Sequence, residues 1–207
     1  MPDPGWWEAL WPDPVKVLTD VGVTSGMTVV DLCCGDGWFT LPLAKIARKV
    51  VAIDISAELI AAAKVRFAER GGAPNCNFVI ADAYDIANLV REPVDYVFLA
   101  NAFHGVPDRP KLVLAIAEIL VPGGCFAVLN WHPWPREKTT VLGEPRGPAT
   151  ELRMPTEQTI EAGEAGGLSL SRVVQVPPYH YGAVFANQDR RCIRSLRPAR
   201  ERRRSIE

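Results

Sequence analysis

The chain has 207 residues, 48% of them hydrophobic, with a formal net charge of -1. That size and composition fit one domain that folds without disulfides or structural metal, since a chain this long buries roughly 70% of its unfolded surface. The charge is uneven: eight arginines against Glu201 and Glu207 give residues 190–207 a local +6 and leave the preceding 189 residues at -7, an acidic body unlike that of a protein that wraps nucleic acid.

The five cysteines show no C-x2-C spacing and include the adjacent pair Cys33-Cys34, so neither a disulfide framework nor a zinc site is expected. The N-terminus, Met-Pro-Asp-Pro-Gly-Trp-Trp, lacks a charged segment followed by an apolar run, so it does not read as a signal peptide. No apolar run reaches about 18 residues. These features point to a cytoplasmic protein without a membrane span; oligomeric state is not encoded in them.

Taken in chain order, residues 6–21 read as two short helices broken around Pro12 and Pro14, with Asp13 as N-cap and Pro14 at the first helical position. Trp6, Trp7 and Trp11 form an aromatic cluster here; packing of an apolar helix face on the core is favoured over a lid, and either arrangement covers part of the ligand crevice. An alternation follows: strand at 27–32, helix at 38–48, strand at 49–55, helix at 56–70 capped by Ser56, strand at 77–80, short helix at 86–90, strand at 94–100, helix at 109–120 ended by Pro122-Gly123-Gly124, and strand at 125–131. Apolar strands separated by helices predict a parallel sheet covered on both faces. Residues 132–155 read as a polar, proline-rich loop, and 156–165 as a helix closed by Gly166-Gly167. The runs 168–176 and 179–186, joined only by Pro177-Pro178, demand antiparallel pairing or a sharp edge turn. The expected organisation is an N-terminal helical cap (1–26), an α/β doubly wound, mostly parallel seven-stranded domain ending in an antiparallel pair (27–186), and a disordered basic tail (187–207).

The chemistry centres on the turn after the first strand, Asp31-Leu-Cys-Cys-Gly35-Asp-Gly37-Trp-Phe-Thr40. In a doubly wound fold this turn faces the crevice at the carboxyl ends of the strands. Gly35 and Gly37 let backbone turn tightly beside a ligand. A dinucleotide site wants a third glycine where Thr40 stands, and pyrophosphate is repelled by Asp31 and Asp36. A cationic ligand suits Asp31; S-adenosylmethionine carries an ammonium and a sulfonium and no phosphate. Asp54 ends the second strand, 23 residues after Asp31, where a carboxylate can accept both ribose hydroxyls. Asp82, after the third strand, could accept from an adenine amino group, with the Ala83 N–H offered to a ring nitrogen.

With these residues in place, the sequence resembles the class I S-adenosylmethionine-dependent methyltransferases, in particular the small-molecule, type 11-like members. Their first motif, an acid, an apolar residue and G-x-G-x-G, is matched at Asp31 to Gly37 except that Cys33 replaces the first glycine. Val51-Ala-Ile-Asp54-Ile55-Ser56, Ala81-Asp82-Ala83, Asp95 to His104 and Leu120-Val-Pro-Gly-Gly124 match the later motifs in order. The resemblance covers residues 27–131 and implies a seven-stranded Rossmann-like fold. It further implies that Asp31, Cys33, Gly35 and Gly37 hold the methionine part and that Asp54 holds the ribose. Ile55 packs on the adenine, Asp82 and Ala83 read its edge, and Asn101 contacts the cofactor backbone. The segment Asn101-Ala-Phe-His104 is not the Asn-Pro-Pro-Tyr or Asp-Pro-Pro-Tyr of the amino-methylating members, which argues against methylation of a nucleic-acid base or a glutamine; a small-molecule acceptor is expected.

Methyl transfer needs positioning of a nucleophile and, for some acceptors, a base. His104, past the fourth strand, and His132, past the fifth, are the candidates; His180 is a weaker one. The arginines of 132–155, Arg136, Arg146 and Arg153, could meet an anionic substrate, although solvation at the surface is the default for such residues. Two other readings remain open: a nicotinamide-dependent oxidoreductase on a related fold, and a non-catalytic donor-binding or RNA-associated protein.

Overall fold

The computed structural model describes residues 4–188 of the chain. Five apolar runs become parallel strands: β1 (Thr28–Leu32), β2 (Lys49–Asp54), β3 (Cys76–Ile80), β4 (Val94–Ala100) and β5 (Leu120–Trp131). β9 (His180–Ala186) runs antiparallel to β5, and β8 (Ser169–Val176) antiparallel to β9. The resulting order is β3-β2-β1-β4-β5-β9-β8. The order in which strands are added reverses between the parallel neighbours β1 and β4, and the switch point that opens a crevice in α/β sheets therefore lies between their carboxyl ends.

β1 and most of β4 are buried on both faces, which is why they read as apolar runs without alternation. One face carries α1 (Pro4–Leu10), α2 (Pro14–Val21), α3 (Thr40–Ile46) and α4 (Ala57–Glu69), packed on Val29, Val50, Phe98 and Leu129. The other carries α5 (Ile86–Leu89), α6 (Arg109–Ile119) and α7 (Thr156–Ala165) on Val30, Ile53, Val97 and Val128. Caps follow the sequence: the Asp13 carboxylate accepts from Lys16 N at 2.9 Å, and Ser56 Oγ from Leu59 N at 3.2 Å. Trp6, Trp7 and Trp11 pack into the core of the first face, with Trp11 against Phe39 and His180.

Three expectations need correction. Pro122-Gly123-Gly124 does not end a helix; α6 stops at Ile119, and the three residues lie inside β5. Leu120 already pairs with Val94, and the ladder resumes at Cys125 opposite Tyr96 after a register shift, so Pro-Gly-Gly forms a bulge tolerated within a sheet. Residues 132–155 are not plain loop: they hold three-residue 3-10 turns at Arg136–Lys138 and Thr150–Leu152 and a hairpin of β6 (Thr140–Val141) with β7 (Glu144–Pro145). Asn187, assigned to the tail, is tied to the fold by its side-chain amide, which donates to Leu120 O at 2.9 Å and Ala117 O at 3.3 Å. The rest of the expected basic tail, from residue 189, lies outside the described residues.

Candidate active site

The turn after β1 takes three left-handed residues, Cys33 (φ 58°), Gly35 (φ 56°) and Gly37 (φ 78°). Cys33 therefore adopts the conformation for which the family motif uses glycine, at a strain cost of about 1 kcal/mol. Burial, followed by the nearby carboxylates of Asp54, Asp31 and Asp82, pushes its thiol up to about 12, so it acts here as a neutral wall. Gly37 is constrained twice: by its φ, and because a Cβ would sit 3.0 Å from the Ala63 Cβ of α4. Gly37→Ala is expected to cost about 1–2 kcal/mol of stability and to open the turn, measurable as a lowered denaturant midpoint.

Asp31 is 3% exposed and accepts from Thr40 Oγ1 at 2.6 Å. Burial raises its carboxyl to about 7 against that hydrogen bond, and the Asp54 charge adds to the rise. Among the described residues no cation pairs with it. Thr40, the residue in place of a third glycine, is thus the hydroxyl that orients Asp31. Asp54 is also buried; its Oδ2 accepts from Gly35 N at 2.8 Å and its Oδ1 from Ser56 N at 2.9 Å. Two backbone N–H groups fix the carboxylate, and each oxygen keeps a lone pair for a further donor.

Asp36 needs a correction. The sequence sets it among the charges that repel a pyrophosphate, but Arg66 of α4 reaches it at 2.7 Å, with the Asp36 and Arg66 side chains 8% and 15% exposed. Arg66 also lies over the Trp38 ring at 5.8 Å. Sequence reasoning missed this partner because it stands 30 residues away on another helix.

Three adjoining cavities run along the carboxyl edge of the sheet. The first, about 410 Å³, is walled by Asp54, Ile55, Asp82, Ala83 and Ala102. Ile55 is 68% exposed, an apolar side chain turned to open space. Asp82 is exposed and uses Oδ1 to accept from Tyr84 N at 2.9 Å, capping the 3-10 turn Ala83–Asp85. The second cavity, about 200 Å³, is walled by Asp31, Cys33, Gly35, Asp54, Trp7 and Asn101. Trp7 Nε1 is buried without a hydrogen-bond partner. The third, about 380 Å³, shares Trp7 and Asn101 and adds Trp6, His104, Trp131, Arg136 and Arg146.

Asn101 stands where the second and third cavities meet, in the left-handed region (φ 59°), its backbone N–H donating to Leu129 O. His180 was undervalued in the sequence. It is 1% exposed, wedged between the Trp11 and Trp131 rings, and its Nε2–H donates to Asn101 Oδ1 at 3.1 Å. Burial, aided by His132 and Arg153, holds its ring well below the usual histidine range and therefore neutral. No local pattern announces this contact, which joins residues 79 positions apart.

The two catalytic candidates separate. His104 lines the third cavity, and burial plus the Arg109 and Arg153 charges lower its proton affinity, so it is neutral near pH 7. His132 does not line that cavity. It follows Trp131 on β5, so its side chain takes the opposite face of the strand, where it bonds Gln175 Oε1 at 3.0 Å and stacks on Trp134. It stands past β5, as expected, but outside the third cavity.

Comparison with known proteins agrees with this geometry. A family model described as "Methyltransferase domain" matches residues 29–124. A tRNA 5-carboxymethoxyuridine methyltransferase from Escherichia coli (strain K12) is 28% identical over 123 residues, covering 59% of this chain and 47% of the relative. A ubiquinone biosynthesis O-methyltransferase from Xanthomonas axonopodis pv. citri (strain 306) is 28% identical over 139 residues, covering 62% and 57%. The chain thus spans about half the length of the curated relatives it matches. The crystal structure of a SAM dependent methyltransferase from Aquifex aeolicus superposes with a TM-score of 0.74 at 26% identity, over 89% of this chain and 93% of that one. The sheet order defines a Rossmann-like α/β protein. In line with the motif positions, residues 29–124 match a methyltransferase domain, and the fold is similar to that of a solved S-adenosylmethionine-dependent methyltransferase.

Proposed function

We propose that this protein transfers a methyl group from S-adenosylmethionine to a small-molecule acceptor in the cytoplasm. The observation that carries the reading is Asp31: a buried carboxylate, oriented by Thr40, on the wall of a cavity and without a cation among the described residues. Such a group is costly alone and suits a ligand that brings its own positive charge.

When bound, S-adenosylmethionine supplies a methyl already activated by its sulfonium. Asp31 would pair with the ammonium of the methionine part, with Cys33, Gly35 and Gly37 bringing backbone close. Asp54, pre-oriented by two N–H groups, would accept the ribose hydroxyls; Ile55 would cover the adenine, and Asp82 and Ala83 would meet its edge. Asn101, held by His180, would stand at the border between donor and acceptor. His104, kept neutral, would accept a proton from an acceptor that carries one on its nucleophile. His132 has no part in this assignment. Among the described residues no helix is long and apolar enough to cross a membrane.

The oxidoreductase alternative would bring a pyrophosphate to a turn that follows the buried, unpaired carboxylate of Asp31, which the charge pattern disfavours. S-adenosylhomocysteine at about 100 times its Kd is expected to raise the melting temperature by about 5–10 °C, corresponding to about 2.7 kcal/mol, with no shift from NAD. A shift with NAD and none with S-adenosylhomocysteine would reverse the assignment.

A further inference from the structure

The third cavity differs in charge from the other two. The first is lined by Asp54 and Asp82 and the second by Asp31 and Asp54, with Asp36 paired to Arg66, whereas the third is lined by Arg136 and Arg146 and by no carboxylate. Among the described residues neither arginine is ion-paired. Arg146 Nε is buried without a hydrogen-bond partner. Arg136 Nε donates to Gly147 O at 3.1 Å, which pins its guanidinium at the cavity wall.

The segment that carries them is braced. Arg153 is 5% exposed; it donates to Pro148 O, Trp134 O, Arg146 O and Thr139 Oγ1 and lies 4.9 Å over the Trp131 ring. Gly147 (φ 86°) packs so closely that a Cβ would sit 2.8 Å from the Trp131 ring. A buried arginine spent on three loop carbonyls and a hydroxyl rigidifies its neighbours, and so braces the half-buried Arg146 and the exposed Arg136 at the mouth of the aromatic cavity. Trp6 and Trp131, tilted at 41° with centroids 6.2 Å apart, give this cavity an aromatic wall.

We propose that the third cavity binds a planar acceptor bearing an anionic group, its ring against Trp6 and Trp131 and its charge on Arg136 and Arg146. The proposal rests on the methyl-transfer reading only for the word acceptor; the anion site stands on its own geometry. A guanidinium pair selects a carboxylate or phosphate by charge-assisted, often bidentate hydrogen bonds. A cationic amine is repelled by the same pair, and the acidic donor end turns an anion away from the second cavity, so a bound acceptor has one favoured orientation.

The test is calorimetric titration of the full chain, with and without saturating S-adenosylhomocysteine. The probes are 2-naphthoate, 2-naphthyl phosphate, 2-naphthamide and 2-naphthylmethylamine, which share a ring and differ in charge. At least one anion is expected to bind about tenfold or more tighter than the amide, with the amine weakest; the tighter anion names the group. Arg136→Gln with Arg146→Gln should bring that preference below about threefold while leaving affinity for S-adenosylhomocysteine and the amide unchanged. Anions that bind no tighter than the amide, or not at all, or a preference that survives the double substitution, would overturn the proposal. Anion preference in a protein that fails to bind S-adenosylhomocysteine would overturn the donor assignment and keep this one; donor binding without anion preference would do the reverse.

Discussion

Replacing Asp31 by asparagine is expected to stabilise the ligand-free protein at pH 8 while weakening S-adenosylhomocysteine binding at least 100-fold, about 2.7 kcal/mol. Both effects come from one buried carboxyl. Its proton affinity rises from an ordinary value of 3.8 in the unfolded chain to about 7 in the fold. Between those values the folded state holds a proton that the unfolded state has lost, so stability falls as pH rises from about 4 to about 7. The full cost above pH 7 is roughly 4 kcal/mol, an upper bound for a site coupled to Asp54. Asparagine keeps an acceptor for Thr40 Oγ1 and removes the charge. The stability gain should therefore be largest at pH 8 and shrink toward pH 4, as followed by urea titration. The same proton competes with a cationic ligand. In the wild type, affinity for S-adenosylhomocysteine should drop by up to about tenfold per pH unit below 7, whereas in Asp31→Asn the profile from this site should be flat. An asparagine variant that binds as tightly as the wild type would remove Asp31 from the donor site.

The second large effect is expected from Arg66→Met. Removing one partner from a buried ion pair strands the other, at about 3–5 kcal/mol. Here the stranded group would be Asp36, 6% exposed and set between Gly35 and Gly37. Burial raises the Asp36 carboxyl and the Arg66 charge opposes that rise, so loss of Arg66 acts directly on the turn. A drop of about 10 °C in melting temperature is expected for a chain of this size, with weakened donor binding because the turn carries Gly35. The double variant Asp36→Asn with Arg66→Met should recover more than half of the lost stability, as measured in a double-mutant cycle. A single variant within about 0.5 kcal/mol of the wild type would mean that water, not Arg66, compensates Asp36.

The central strands were legible because their environment is simple. β1, β2 and β4 lie where both faces are covered, and burial on both faces writes itself as an uninterrupted apolar run. β5 was misread at its start because Pro122-Gly123-Gly124 is locally a stop signal; only the pairing of Leu120 with Val94 makes it a bulge. In the site, the acids near the ends of β1, β2 and β3 were legible from their order along the chain, since each strand end in this topology meets the same crevice. What was not legible depends on contacts distant in sequence. Arg66 reaches Asp36 from another helix, His180 reaches Asn101 from another strand, and Arg153 is spent on the loop that presents Arg136 and Arg146. For His132, parity along β5 sets it opposite Trp131, but which face meets the acceptor cavity follows only from where α1 packs.

The most direct test of the whole account is transfer of radiolabelled methyl from S-adenosylmethionine by the purified protein into a cell extract separated into RNA, protein, and cationic, neutral and anionic small molecules. The account predicts label in the anionic small-molecule fraction, reduced at least 100-fold, about 2.7 kcal/mol, by Asp31→Asn at limiting donor. Label in RNA, as the name of the Escherichia coli relative describes for that protein, in protein, or in no fraction would contradict it.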